Sequence, residues 1–267
     1  MLIVTDGAVD LPAQLADSEF LAVVPGEVNG DGGAMVLGQD EFWSLLRQGS
    51  YPSTSPPTVS ALAEAYGASE TVLAIHVSAQ LSATVSRARE AAERVGTAVT
   101  IVDAQSLSVG AGLVVAAVHR AAIETNDPDP IIELAKALPS RLHTFAIIDH
   151  VESLRRSDRA GLLPKAHLAK NHPLVLAVRG RVVPLAQPRH RHGALADLIQ
   201  RLRHTTRTPG PWALGHGDAH DVNEVMAQLS AEFGSAPAFV THLDPTVGVH
   251  LGPESLVVGV LSGPVVL

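Results

Sequence analysis

Five short runs rich in Val, Ile and Leu recur along the first half of the chain: "LIVTD", "FLAVVP", "TVLAIHVS", "VTIVDA" and "TFAIID". Each breaks off at Asp, His, Ser or Gly, and a segment with helical spacing follows. Apolar runs this short read as strands buried on both faces, and their alternation with helices dictates a largely parallel, doubly covered sheet. Helices are expected over 39–48, 59–66, 83–95, 110–124 and 129–138, the last capped by Asp129 with Pro130 in its first position. The third has the clearest stripe: Val85, Ala88, Ala92 and Val95 share one face, while Arg89 with Glu93 and Glu90 with Arg94 form i,i+4 pairs on the wet side.

After Asp158 the texture changes. "HPLVLAVRGRVVPLA" reads as a hairpin turning at Arg179-Gly180-Arg181, followed by a helix over 194–203 and a strand "WALGH". A helix opened by an Asp221/Glu224 capping box and two more strands, "AFVTHL" and "SLVVGVLS", complete the chain. The expected architecture is α/β and two-lobed: an N-terminal doubly wound, largely parallel lobe over 1–158 and a C-terminal α+β lobe over 159–267.

Composition narrows the function. A net charge of −8, with scattered Lys and Arg, offers no basic stripe for nucleic acid. The longest apolar run, 111–118, is too short to span a bilayer, and the start "MLIVTDG" lacks a basic leader, so a cytoplasmic location is expected. The chain has no cysteine, which removes disulfides, thiolate metal sites and cysteine nucleophiles.

In an open α/β sheet, ligands bind beyond the carboxyl ends of the strands, where helices begin and present unpaired N–H groups. Polar residues cluster in three such places: "STSPPT" at 53–58, "HVSAQLSAT" at 76–84 and "VDAQSLSVGAG" at 102–112, where Gly110 and Gly112 permit close approach. Neutral hydroxyls at helix starts suit one small anionic group; read singly, each is a helix cap. No G-x-S-x-G elbow, Walker A loop or complete dinucleotide fingerprint is present. Asp6 and Asp10 stand four apart, which does not fit the adjacent pair of an aspartyl phosphotransferase, and Asp6 reads as a turn residue. His190 with His192, or His216 with His220, could approach an ion, but no third ligand stands at a metal spacing, so no metal or other cofactor is expected. "PRHRHG" is a cationic run suited to a phosphate or a partner, or simply a solvated loop, and His250 sits beside a Gly-Pro turn where it can meet an anion.

"IVTDGAVDLP", "PSTSPPT", "VSAQLSAT", "IVDAQSLSVGAGL", "KNHPLV", "RGRVVP", "PRHRHGAL" and "GVHLGPESLVVGV" stand in the order and spacing of the DegV family, which the chain resembles over essentially its whole length. The resemblance implies a non-enzymatic, two-lobed fatty-acid-binding protein that holds a long-chain acyl carboxylate and presents it to a partner fatty acid kinase. It implies that Thr54 and Ser55 anchor the carboxylate, with Ser78 nearby, His250 from the second lobe, and Arg189 beside the head group. The chain departs from the family pattern at Gly7 and Ala8, at Ala79, at Asp158-Arg159-Ala160 and at Glu254, and 26–38 is shorter than usual. The alternative is a small-molecule hydrolase or transferase that uses His250 with a hydroxyl as an acid/base pair in the interlobe cleft.

Overall fold

The computed structural model describes residues 1–30, 32–125, 127–149, 151–157, 159–168, 174–206 and 208–267. In chain order its strands are β1 (Leu2–Asp6), β2 (Leu21–Val24), β3 (Glu27–Gly30), β4 (Gly33–Met35), β5 (Ser53–Ser55), β6 (Thr71–His76), β7 (Ala98–Asp103), β8 (Leu142–Ile148), β9 (Leu174–Val178), β10 (Val182–Ala186), β11 (Pro209–His216), β12 (Phe239–His242) and β13 (Leu256–Ser262). The helices are α1 (Gln39–Arg47), α2 (Val59–Gly67), α3 (Thr84–Glu93), α4 (Ser108–Glu124), α5 (Pro128–Ala137), α6 (Glu152–Arg156), α7 (Lys165–Leu168), α8 (Arg191–Thr205), α9 (Val222–Phe233) and α10 (Pro245–Leu251).

The first sheet, ordered β2-β1-β6-β7, is parallel throughout. Its strands send side chains alternately to two apolar layers. Val4, Val72 and Ala74 pack with Leu62 and Tyr66 of α2 and Ala88 and Ala91 of α3, whereas Ile3, Leu73 and Ile75 face the layer that contains α4. The expected α/β lobe is therefore present, with helices on both faces. The second sheet, β10-β9-β8-β13-β11-β12, is antiparallel except for its β11–β12 pair. It buries Phe145, Trp212, Leu214 and Val258 against Leu198 and Leu202 of α8 and Leu229 of α9. Side chains of this size contribute about 1.5–3 kcal/mol each when fully buried.

α4 joins the two sheets. Residues 108–119 are all buried, as expected of a helix that is apolar all round. The close approach available at Gly110 and Gly112 is used by the protein itself. A Cβ on Gly259 of β13 would lie 2.7 Å from the Gly110 Cα, and one on Gly112 would lie 2.0 Å from the Asp10 carbonyl oxygen.

Several expectations need correction. "TFAIID" forms β8, but β8 pairs with β9 and β13 in the second sheet instead of extending the first. α5 starts two residues earlier than expected: Asp127 accepts from the Asp129 amide and Pro128 leads the helix. Asp221 precedes α9 without capping it, because its carboxylate is occupied by the Arg191 guanidinium through two hydrogen bonds of 2.6 Å. Periodicity also missed the small β4-β3-β5 sheet, whose strands have only three or four residues. Within it Thr54 pairs with Val28 and Ser55 with Glu27. The expected hairpin is present as β9 and β10, with Gly180 at φ +75° in the turn. Of the residues singled out from sequence, Asp158 and the "KNHP" stretch lie outside the described residues.

Candidate functional site

A cavity of about 820 Å³, counted out to its mouth, lies at the carboxyl ends of the first sheet's strands. Its walls come from the turn after β1 (Asp6, Gly7, Ala8), from β5 and the prolines after it (Thr54, Ser55, Pro56, Pro57), and from the loop between β6 and α3 (Val77, Leu81, Ser82, Thr84). Leu154 of α6, Arg159, Leu162, Leu163, Val182 of β10, and Thr246, Val247, His250 and Leu251 of α10 close it. The body is aliphatic, and most of the polar lining groups are hydroxyls.

Thr54 and His250 come from segments 196 residues apart, yet the Thr54 Oγ1 and the His250 Nε2 are 2.8 Å apart across the cavity wall. Ser55 stands beside them and its Oγ accepts from the Asn29 side-chain Nδ2 at 3.3 Å, so its own proton remains available to an acceptor. Each of these residues is held by a different device. Thr54 and Ser55 ride on the small sheet, which also ties Ser55 to Glu27 through the ladder. His250 lies in the last turn of α10, whose start is capped by Asp244: its Oδ1 accepts from the Thr246 amide at 2.8 Å and the Thr246 hydroxyl at 2.6 Å. Arg159 also lines the cavity and brings a cation to it. In the sequence Arg159 stands out only as part of a departure from the family pattern; with Arg155 and Arg156 just before it in "LRRSDRAGLLP", nothing local singles it out.

The other hydroxyls of the three polar stretches have structural partners. Thr58 caps α2 by accepting from the Ala61 amide at 3.1 Å. Ser106 meets Thr144 at 2.8 Å, and Ser108, at φ +54°, donates to the Asp10 carboxylate at 2.5 Å. Ser78 is fully buried and is not part of the cavity lining; its hydroxyl donates to the Gly180 carbonyl at 2.5 Å and fastens the β9–β10 turn to the first sheet's loops. Ala79 is exposed, and its amide donates to Asp103. Arg189 is exposed and also lies outside the cavity lining. The structure thus brings Thr54, Ser55 and His250 together and leaves Ser78 and Arg189 apart from them.

Asp6 is buried at the cavity wall with its acceptors in use. It receives the Ala8 and Val77 amides, each at 3.0 Å, and the His76 Nδ1 lies 2.9 Å away. The far nitrogen of His76 meets the Tyr66 hydroxyl at 2.8 Å, and burial together with the Asp6 charge pushes that phenol well above its ordinary value, leaving it a neutral partner. The remaining histidines considered from sequence are dispersed. His190 caps α8 by accepting from the Gly193 amide, His220 sits 2.7 Å from Glu254, and His216 packs against His242 with ring centroids 4.1 Å apart. Among the described residues no group of three or more His, Asp or Glu side chains could hold a metal ion, and no helix is long and apolar enough to cross a membrane.

Two sheets clasp a central buried helix, and the aliphatic cavity beside them is closed at one side by hydroxyls, an imidazole and a guanidinium, so the cavity itself is amphipathic. Residues 1–263 match the family described as "Uncharacterised protein, DegV family". The chain belongs to the DegV family. It is 30% identical to a DegV domain-containing protein of Mycobacterium bovis over 94% of either chain. Two solved structures share its fold. One, described as showing fatty acid binding of a DegV family protein from Thermus thermophilus, has a TM-score of 0.86 and 24% identity over 98% of this chain and 99% of that one. The other, a DegV family protein from Eubacterium eligens loaded with heptadecanoic acid, has a TM-score of 0.88 and 15% identity over 98% of this chain and 100% of that one.

Proposed function

We propose that this chain is a fatty-acid-binding protein, not a catalyst, which holds a long-chain acyl carboxylate between its two lobes and presents it to a partner fatty acid kinase. The observation that carries this reading is the division of the cavity: an aliphatic body beside Thr54, Ser55, His250 and Arg159. Each buried methylene contributes about 0.8 kcal/mol, so the tail supplies most of the affinity and the polar groups fix which end of the ligand they hold. Family relatives described as fatty-acid-binding support the same ligand class. Organic extraction of the purified protein followed by mass spectrometry is expected to yield a long-chain fatty acid at close to one per chain. Recovery of no lipid, with no binding of added palmitate or oleate, would overturn the reading.

Delivery and storage separate at Arg189. An exposed arginine outside the cavity lining contributes nothing to holding the tail; the role proposed for it rests on the family resemblance, and its planar fork suits the acyl phosphate that a kinase would form. Arg189→Ala is expected to keep fatty acid affinity within about threefold, well under the 1.4 kcal/mol of a tenfold change. The same variant should lower acyl phosphate formation by a cognate kinase at least tenfold. Titration with a fluorescent fatty acid and a phosphoryl transfer assay check the two halves. The 2.8 Å Thr54–His250 pair favours the hydrolase reading to the extent that it resembles an acid/base pair; turnover of acyl esters that is lost in Thr54→Ala would establish it instead.

A further inference from the structure

Thr54 and Ser55 are neighbours on β5, but the fold treats their hydroxyls differently. A hydroxyl carries one proton and two lone pairs, so its partners decide which of them is left for a ligand. The Thr54 Oγ1 lies 2.8 Å from the His250 Nε2, a ring nitrogen that donates in one tautomer and accepts in the other. What Thr54 offers the cavity therefore depends on the state of His250. Ser55 is set differently. Its Oγ lies 3.3 Å from the Asn29 Nδ2, and an NH₂ group can only donate. No acceptor takes the Ser55 proton among the described residues, so that proton is left for the cavity that Ser55 lines. Asn29 itself stands outside the lining, held by the small sheet. β3 runs between β4 and β5, and Asn29 pairs with Ala34 on one side and Ser53 on the other. Ser53 and Ser55 share a face of β5, so Asn29, opposite Ser53, reaches Ser55 as its diagonal neighbour.

We propose that Asn29 is a positioning residue: it fixes Ser55 as a hydrogen-bond donor and so makes the cavity select an anionic carboxylate over a neutral head group on the same tail. This rests on the fatty acid reading given above and adds to it a determinant of specificity. A carboxylate has acceptors alone, whereas an alcohol both donates and accepts. A hydroxyl held as a donor favours the carboxylate, because hydrogen bonds to a charged group are about twice as strong as those between neutral groups. A hydroxyl that presents a lone pair instead repels a carboxylate but still accepts from an alcohol. Arg159 and His250 line the same cavity and act on an anion whatever stands at position 29. The contribution of Asn29 is therefore read as a change in preference between two ligands, not as affinity for one.

Titration of delipidated protein with myristate and with 1-tetradecanol, which share one tail length, reads that preference as a ratio of dissociation constants. Asn29→Asp keeps the side chain's shape but offers oxygens alone, so the Ser55 hydroxyl donates to residue 29 and turns a lone pair to the cavity. The ratio in favour of myristate is expected to fall at least about tenfold, with tetradecanol bound within about threefold of the parent. The added charge also repels myristate directly, and a Ser55→Ala background separates the two effects. There the same change at 29 should lower the ratio by a factor at least about fivefold smaller. Asn29→Leu, of like size with neither donor nor acceptor, carries no charge and decides the matter where Asn29→Asp does not fold; it should lower the ratio about threefold. Ser53→Ala, an exposed change on the same strand, should leave the ratio as it is. An unchanged ratio in the position 29 variants, or an equal fall with and without the Ser55 hydroxyl, overturns this inference and leaves the fatty acid reading standing. Equal loss of both ligands would make Asn29 a strut of the small sheet and overturns it as well. Failure of the parent to bind either ligand overturns the fatty acid reading and this one with it.

Discussion

Replacing Thr54 and Ser55 together by alanine is expected to weaken fatty acid binding at least tenfold. Hydrogen bonds to a charged group are worth about 1.5–3 kcal/mol each, and the double change removes two donors from one carboxylate. Arg159 and His250 remain, so binding is weakened and not abolished. The fold should tolerate the change, because both residues are only part-buried and the β3–β5 ladder is made by their backbones. Titration with a fluorescent fatty acid provides the measurement, and a double variant that binds as tightly as the parent would move the carboxylate elsewhere in the cavity. The alanine at 54 also leaves His250 without its hydroxyl partner, so Thr54→Ala alone should account for more of the loss than Ser55→Ala alone.

Gly112→Ala is expected to cost at least about 3 kcal/mol of stability, at the upper end of what a single added methyl group does to a packed core. Alanine is intrinsically better than glycine in a helix by about 1 kcal/mol, so propensity alone predicts the opposite sign. Packing decides the outcome. The added Cβ would stand 2.0 Å from the Asp10 carbonyl oxygen and 3.3 Å from the Phe239 ring, and a backbone oxygen cannot rotate away as a side chain can. α4 would have to withdraw from the turn after β1, and the Ser108–Asp10 contact would be strained with it. Gly67→Ala at the end of α2 is the control, since nothing lies within 4 Å of its added methyl; it should be neutral or slightly stabilising. Urea unfolding of both variants tests the contrast, and equal midpoints would show that α4 can shift without penalty.

Much of the first sheet was legible because its signal is local. Five apolar runs, each too short for a helix, appear as β1, β2, β6, β7 and β8, and the helices between them start within a few residues of their expected positions. Sheet membership is not a local property. "TFAIID" reads like the other runs, but its partner strands, β9 and β13, begin 26 and more than 100 residues later, and only that long-range pairing places β8 in the second sheet. The β4-β3-β5 sheet was missed for a related reason: its strands carry Gly, Asn, Ser and Thr, residues whose pattern says turn, and the ladder forms because long-range pairing satisfies their backbones.

At the site, residue types alone pointed to an anion held by hydroxyls beyond the carboxyl ends of strands, because that follows from chain direction in a parallel sheet and the chemistry of Ser and Thr. The tertiary structure decided which hydroxyls face the cavity. Ser55, Thr58, Ser78 and Ser108 are indistinguishable as sequence, each a hydroxyl near a helix start or strand end. Burial separates them: Thr58 caps α2, Ser78 ties down a turn and Ser108 holds Asp10, whereas Ser55 lines the cavity beside Thr54. A hydroxyl's role depends on which acceptor is nearest once the chain has folded, and here those acceptors lie up to 102 residues away along the chain.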